Sequence, residues 1–372
     1  MVKIDRRLLK NFGWTIMILT VAFCAIGLVN LYSASYYSGF SSFKKQFVWM
    51  ALGFVTMIGV SFLNYNLFNR YALHIYAFSI ILLIFVIVLG KEVSGSKSWI
   101  SLGPITLQPS EFVKISLILV ISRFYHNDFE DGPFGIRDLL KPIGFTAVLF
   151  ILVLIQPDLG TSIMIILISG SMFLFMGVKR NSLLIVIISL IVVAFPAWNF
   201  FLKGYQKDRI LTFVDPSVDP LGTGYNSIQS QIAIGSGKLT GKGFMSGSQT
   251  QLRFIPAQKT DFAFSVLGEE WGFIGSTSTL LLYFLLIIYI LDTASSAKDK
   301  FSMLTSFGIA ALFFWHALIN IGMVLGILPV IGIPLLLFSY GGSSVLTSFI
   351  AIGIVIGIKM RQKPVPKEKI SL

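Results

Sequence analysis

The stretch PAQKTDFAFSVLGEEWGFIG, Pro256 to Gly275, sets one aspartate at the mouth of an apolar run and two glutamates inside it. Asp261 follows Lys259 and precedes Phe-Ala-Phe. A carboxylate at such a boundary is partly desolvated and close to a basic group, which makes it a candidate general base toward a hydroxyl. Glu269 and Glu270 lie further along the same run. On a continuous helix they stand about 12 to 13.5 Å from Asp261, too deep to share its step, and they read as internal polar packing.

Three further stretches carry polar groups that do chemistry elsewhere. LQPSEFVKISL sets Glu111 and Lys114 three residues apart, so on a helix they share a face and can pair. Charges in apolar segments are costly, and spacing alone leaves open whether this is a structural ion pair or a substrate contact lining a cavity. IQPDLGTS places Asp158 between two apolar runs, where it suits an N-cap as well as a functional role. GSKSWISLG adds Lys97 and Trp99; on general grounds such a tryptophan is an interfacial anchor. The histidines, His74, His126 and His316, are scattered and form no ligand cluster, and His316 reads as a core residue. No nucleophile elbow, phosphate loop or dinucleotide fingerprint appears, so no organic cofactor is expected.

The elements that hold these residues are membrane spans. Of the 372 residues, 55% are hydrophobic and 12% charged, with a mean hydropathy of +0.82, outside the range of soluble domains. Apolar runs near the ~20 residues that cross a bilayer recur throughout, so residues 1–372 read as one all-α polytopic domain. Ten spans are expected, at about 12–32, 46–63, 71–90, 110–125, 142–156, 160–178, 183–202, 268–291, 302–328 and 340–359. Cys24 lies inside the first and has no intrachain disulfide partner. The net charge of +12 is concentrated at the termini and short loops. It therefore reads as a topology signal and a contact for anionic lipid rather than for nucleic acid, with both termini cytoplasmic.

A loop at about 203–262, between the seventh and eighth spans, breaks the charge pattern. It carries seven Lys or Arg against four Asp, yet the topology puts it outside the cell, as long loops allow. Lys238, Lys242, Arg253 and Lys259 make it a candidate anion-binding surface. Near the other end, LPVIGIPLLLFSYGGSS is too rich in Pro and Gly for a continuous helix. It forms either a re-entrant wall over a cavity or a packed turn.

The ordered series GSKSWISLGPITLQPSEFVK, QPDLGTS, DPLGTGYNSIQSQIAIGSGKLTGKGF, TDFAFSVLGEEWGFIG and NIGMVLGILPVIGIP with SYGGSS resembles the SEDS family (shape, elongation, division, sporulation), the ten-span bacterial peptidoglycan polymerases. The short termini resemble the elongation branch more than the division branch. The resemblance implies a glycosyltransferase of the bacterial cytoplasmic (inner) membrane. Its substrate would be lipid II, the undecaprenyl-pyrophosphate-linked disaccharide-pentapeptide, polymerised into glycan strands at the outer face. The partners implied are a class B penicillin-binding protein transpeptidase and other membrane proteins of the elongation complex. The family's essential aspartate falls on Asp261, its tryptophan on Trp99, and the acid and base of QPSExxK on Glu111 and Lys114. The chain departs from the family at Ser98, where arginine is common, and at Ala257, Lys259 and Leu336. Lys97 and Lys259 become candidate phosphate contacts on that account.

The chemistry is consistent with this reading. A sugar hydroxyl needs a base as it attacks, whereas a pyrophosphate leaving group needs charge stabilisation rather than a proton. One carboxylate and a basic surface therefore suffice, and a divalent cation, Mg or Mn, held partly by substrate phosphates is a further candidate for the leaving-group side. The same features suit a flippase of the lipid-linked precursor, or a scaffold for cell-wall proteins.

Overall fold

The computed structural model describes residues 11–36, 39–93, 96–102, 105–128, 133–182 and 223–362, with isolated positions between 184 and 213. Every expected span except the seventh has a helix among them. The seventh, at 183–202, and the first part of the long loop lie outside the described residues, apart from those isolated positions.

In chain order, α1 (Trp14–Ser35), α2 (Ser41–Phe62) and α3 (Tyr65–Leu89) lead into three short strands, β1 (Lys91–Val93), β2 (Ser96–Leu102) and β3 (Ile105–Leu107). Then come α4 (Pro109–Asp128), α5 (Ile136–Ile155) and α6 (Leu159–Phe175). The long loop contributes α7 (Thr223–Gly237) and α8 (Ser248–Gln251), followed by α9 (Ala263–Ser295), α10 (Lys300–Val324) and α11 (Gly342–Gln362). Among the described residues, seven helices are long and apolar enough to cross a membrane. The strands form an antiparallel sheet in the order β1-β2-β3, so the fold is helical with one small sheet rather than all-α. Two strands of three residues are too short to leave a periodic signal in the sequence.

The fourth and fifth helices run longer than expected, 20 residues each. Hydropathy misses the start of α5 because Arg137, Asp138 and Lys141 occupy its first turns. That start is set instead by Asp138, whose Oδ2 accepts the Gly135 N–H at 2.8 Å. Pro142 sits inside the helix beyond this cap.

α10 and α11 are mostly buried and form the centre of the bundle. Around them, α2, α3 and the second half of α9 turn Phe47, Val55, Phe78, Val88, Phe273 and Leu281 outward, as lipid-facing helices do. Gly353 brings α11 against α2 so closely that a Cβ there would stand 2.7 Å from the Met57 carbonyl oxygen, the small-residue contact typical of membrane helices.

α9 is two helices end to end. Gly272 has φ 63° and ψ −159°, a region open essentially to glycine alone. The break frees backbone groups on both sides, and the long loop satisfies them. Phe273 N donates to Lys238 O at 2.9 Å and Ile274 N to Leu239 O at 3.0 Å. Glu269 O and Glu270 O accept from Lys242 N and Gly243 N, each at 3.0 Å. The side chains add to the splice: Glu269, fully buried, accepts Lys242 Nζ at 2.8 Å and the Gln249 and Thr250 N–H groups at 2.9 and 3.0 Å. Glu270 accepts Ser33 Oγ of α1 at 2.5 Å, so the two glutamates are polar packing, as expected, one toward the loop and the other mainly toward α1. A Cβ at Gly272 would lie 2.3 Å from Gly241 N. Gly272→Ala is therefore expected to destabilise the protein by about 3 kcal/mol or more, seen as a lower melting temperature in detergent; an unchanged melt would contradict the splice.

Candidate active site

The segment after α10 leaves the helical path and folds into the bundle. Leu335 to Phe338 are buried, and their non-helical backbone finds partners in side chains, as it must away from water. Gln46 Nε2 donates to Ser339 O at 3.0 Å while its Oε1 accepts Gly341 N at 3.1 Å. Asn320 Nδ2 donates to Ile333 O at 2.7 Å. This segment forms one wall of a cavity of about 310 Å³, to which Ile331 to Pro334, Tyr340 and Gly341 contribute. Of the two readings of the Pro-Gly stretch, the cavity wall is the one realised.

The other walls come from the motifs singled out by spacing. Trp99 of β2, Gln108, and Glu111 and Lys114 of α4 face Asp158 and Thr161 at the start of α6 and Thr260 and Asp261 ahead of α9. Residues far apart in the chain thus share one chamber, at the end of the bundle away from the start of α1 and the end of α11.

Lys114 and Glu111 do pair, Nζ to Oε1 at 2.9 Å, in a site where Lys114 is 1% exposed. A third group joins them. His316 of α10 places Nε2 2.9 Å from Lys114 Nζ and Nδ1 3.0 Å from Pro334 O. A carbonyl oxygen only accepts, so Nδ1 carries the hydrogen and Nε2 accepts from the ammonium. His316 is therefore a neutral strut between the ion pair and the cavity wall. Lys114 retains one of its three N–H donors, and Glu111 Oε2 is buried with no hydrogen-bond partner. An acceptor left so is stabilised when a ligand donates to it.

One turn beyond His316, Asn320 Nδ2 also donates to Asp261 O at 2.7 Å. A single face of α10 thus positions Lys114 through His316 and Asp261 through Asn320. Spacing did not identify either residue as part of the site. The available signal was a pair of polar residues four apart in an otherwise apolar helix, WHALIN.

Asp158 lines the cavity but is saturated. It accepts Thr161 N on Oδ1 at 3.1 Å, and Gln108 Nε2, Ser110 Oγ and Thr161 Oγ1 on Oδ2 at 3.0, 3.1 and 2.9 Å. It caps α6 and ties it to α4, which favours the N-cap reading over ligand contact.

The basic loop residues divide. Lys242 is committed to Glu269, and Lys238 is exposed at the α9 break, so neither lines the cavity. Arg253 and Lys259 are also outside its lining, but Lys259 O accepts Tyr340 N at 2.9 Å, which sets this residue at the rim. Burial, and then the neighbouring Arg253 guanidinium, hold the Lys259 ammonium below the usual lysine range. Lys97 belongs to β2, and its side chain is not among those described.

Among the described residues no three His, Cys, Asp or Glu side chains converge on a metal position. Glu111 is tied to Lys114 through one oxygen only and Asp158 carries four hydrogen bonds, so the described lining offers carboxylate oxygens but no protein-built cage for a divalent cation.

Apolar helices enclosing a polar, ion-paired cavity at one end define a multi-pass membrane protein. The chain belongs to the FtsW/RodA/SpoVE family of cell cycle proteins, whose model matches residues 14–364. It is 37% identical over 358 residues to the peptidoglycan glycosyltransferase MrdB of Escherichia coli K12, with 95% of each chain covered. It is 32% identical to the peptidoglycan glycosyltransferase RodA of Treponema pallidum, covering 95% of this chain and 98% of that one. The fold superposes on a chain from a structure titled for coordination of polymerization and crosslinking by a peptidoglycan synthase complex, with TM-score 0.81 and 30% identity over 94% and 98% of the two chains. It also matches the rod shape determining protein RodA of Thermus thermophilus, with TM-score 0.71 and 26% identity over 94% and 96%.

Proposed function

We propose that this protein is a peptidoglycan glycosyltransferase that polymerises lipid II into glycan strands at the outer face of the bacterial cytoplasmic membrane during cell elongation. The observation that carries the reading is the shared chamber: Asp261 and the Glu111–Lys114–His316 group line one cavity in a chain whose relatives are named peptidoglycan glycosyltransferases. In this reading both termini are cytoplasmic and the cavity opens outward, as the basic termini and short loops favour.

Asp261 accepts the proton of the acceptor sugar hydroxyl as that oxygen attacks the anomeric carbon of the donor. The bond from that carbon to the pyrophosphate oxygen breaks, and the undecaprenyl pyrophosphate leaves with the bonding electrons. Asn320 fixes the backbone from which Asp261 projects. Lys114, held by Glu111 and His316, directs its remaining N–H toward the leaving group. Its charge develops most interaction as negative charge builds there. Lys259 and Arg253 supply further positive potential at the rim, while Lys238 and Lys242 serve the loop. A class B penicillin-binding protein is the expected partner, a reading supported by the peptidoglycan synthase complex, coordinating polymerization and crosslinking, one chain of which this fold resembles.

Purified protein incubated with lipid II in detergent, where no second compartment exists, is expected to yield glycan strands on a gel. Translocation of lipid II in vesicles without any polymer in detergent would favour the flippase instead.

A further inference from the structure

A second cavity, of about 230 Å³, opens between α3, α4 and α5 at the end of the bundle where the described chain begins and ends. Val120, Phe124 and Phe145 give it an apolar lining, and Arg123, Asn127 and Lys141 give it polar groups. The glycosyl-transfer reading makes no use of it.

Its cations are held in place, and no carboxylate among the described residues pairs with them. Arg123 Nη1 donates to Asn69 O and, at 2.8 Å, to Arg70 O. These bonds pin the guanidinium to α3 while, among the described residues, its Nη2 and Nε meet no hydrogen-bond acceptor. Lys141 Nζ sits 5.8 Å from the centroid of the Phe124 ring, a cation–π distance, with no ion pair among the described residues. The nearby carboxylate of Asp138 is turned to the Gly135 N–H. A pinned guanidinium edge and an ammonium above an apolar floor match an oxyanion that carries hydrocarbon. A free phosphate would use the charges and leave the phenyl groups without a role.

We propose that this cavity binds the phosphodiester headgroup of an anionic phospholipid, with Arg123 and Lys141 on the phosphate and the first acyl carbons on Phe124 and Phe145. Basic pockets between helices at a membrane surface are suited to such headgroups. Lys141 is exposed, so its replacement leaves the core intact.

The test is native mass spectrometry of the full-length protein released from nanodiscs containing phosphatidylglycerol or phosphatidylcholine, with inorganic phosphate as a competitor. Phosphatidylglycerol adducts are expected on the wild type, reduced about fivefold by Lys141→Gln, restored by Lys141→Arg and unchanged by Lys298→Gln at the same membrane end. Equal retention of phosphatidylcholine, or full retention by Lys141→Gln, would overturn the site. Displacement of the lipid by millimolar inorganic phosphate would overturn the lipid assignment in favour of a free-anion site. None of these readouts depends on polymerisation, so this proposal and the glycosyltransferase reading fail separately.

Discussion

Asp261→Asn is expected to abolish measurable strand synthesis, by ~10²- to 10⁴-fold or more, while leaving membrane insertion, yield and the melting temperature near wild type. The amide keeps the size of the side chain and loses only its basic oxygen. The anchoring bond from Asn320 goes to the main-chain carbonyl of residue 261, so the substitution does not disturb it. Lipid II binding should also survive, because the proposed arrangement holds the pyrophosphate from Lys114 and the rim. A fall in activity accompanied by a fall in the melting temperature would place Asp261 in the scaffold rather than in the chemistry.

The second large effect is expected at the buried charge group. Lys114→Met leaves the Glu111 carboxylate at 5% exposure without its partner, which is expected to cost about 3–5 kcal/mol. Glu111→Gln is milder, because Lys114 retains His316 as an acceptor. The double variant should be more stable than the sum of the two losses allows, since it removes both charges together. His316→Phe added to Lys114→Met should cost only the bond to Pro334 O, about 1–3 kcal/mol, its contact with Lys114 being already gone. Thermal melts of the single, double and triple variants measure this, and additivity within about 0.5 kcal/mol would show that the groups are not coupled.

Much of the chamber is legible in the sequence, because polar residues in apolar sequence are conspicuous. Asp261 stands at a boundary, and Glu111 and Lys114 have the spacing of one helix face; all three line the cavity. What spacing did not convey was partnership across the chain. Lys242 looks available in sequence because the carboxylate that engages it, Glu269, belongs to another element and is fully buried. His316 reads as a core histidine, and by burial it is one. Its role comes from Lys114 on α4 and Pro334 on the wall, neither of which is near it in sequence. The break in α9 was hidden for a related reason. Gly272 within an apolar run looks like any membrane glycine, and the backbone that fills the break comes from residues 238–243. The long loop thus appeared as a basic surface when a large part of its design is to complete a broken helix.

The claim on which the rest depends is that lipid II is handled in the chamber shared by Asp261 and Lys114, and not on the basic surface of the loop. A photoreactive p-benzoylphenylalanine placed at Tyr340, which lines the chamber, can be compared with one at Phe244, exposed on the loop beside Lys242. With the Asp261→Asn background to hold the substrate unreacted, illumination in the presence of lipid II is expected to give a lipid-linked adduct at position 340 and none at 244. Adducts at 244 with none at 340 would contradict the account.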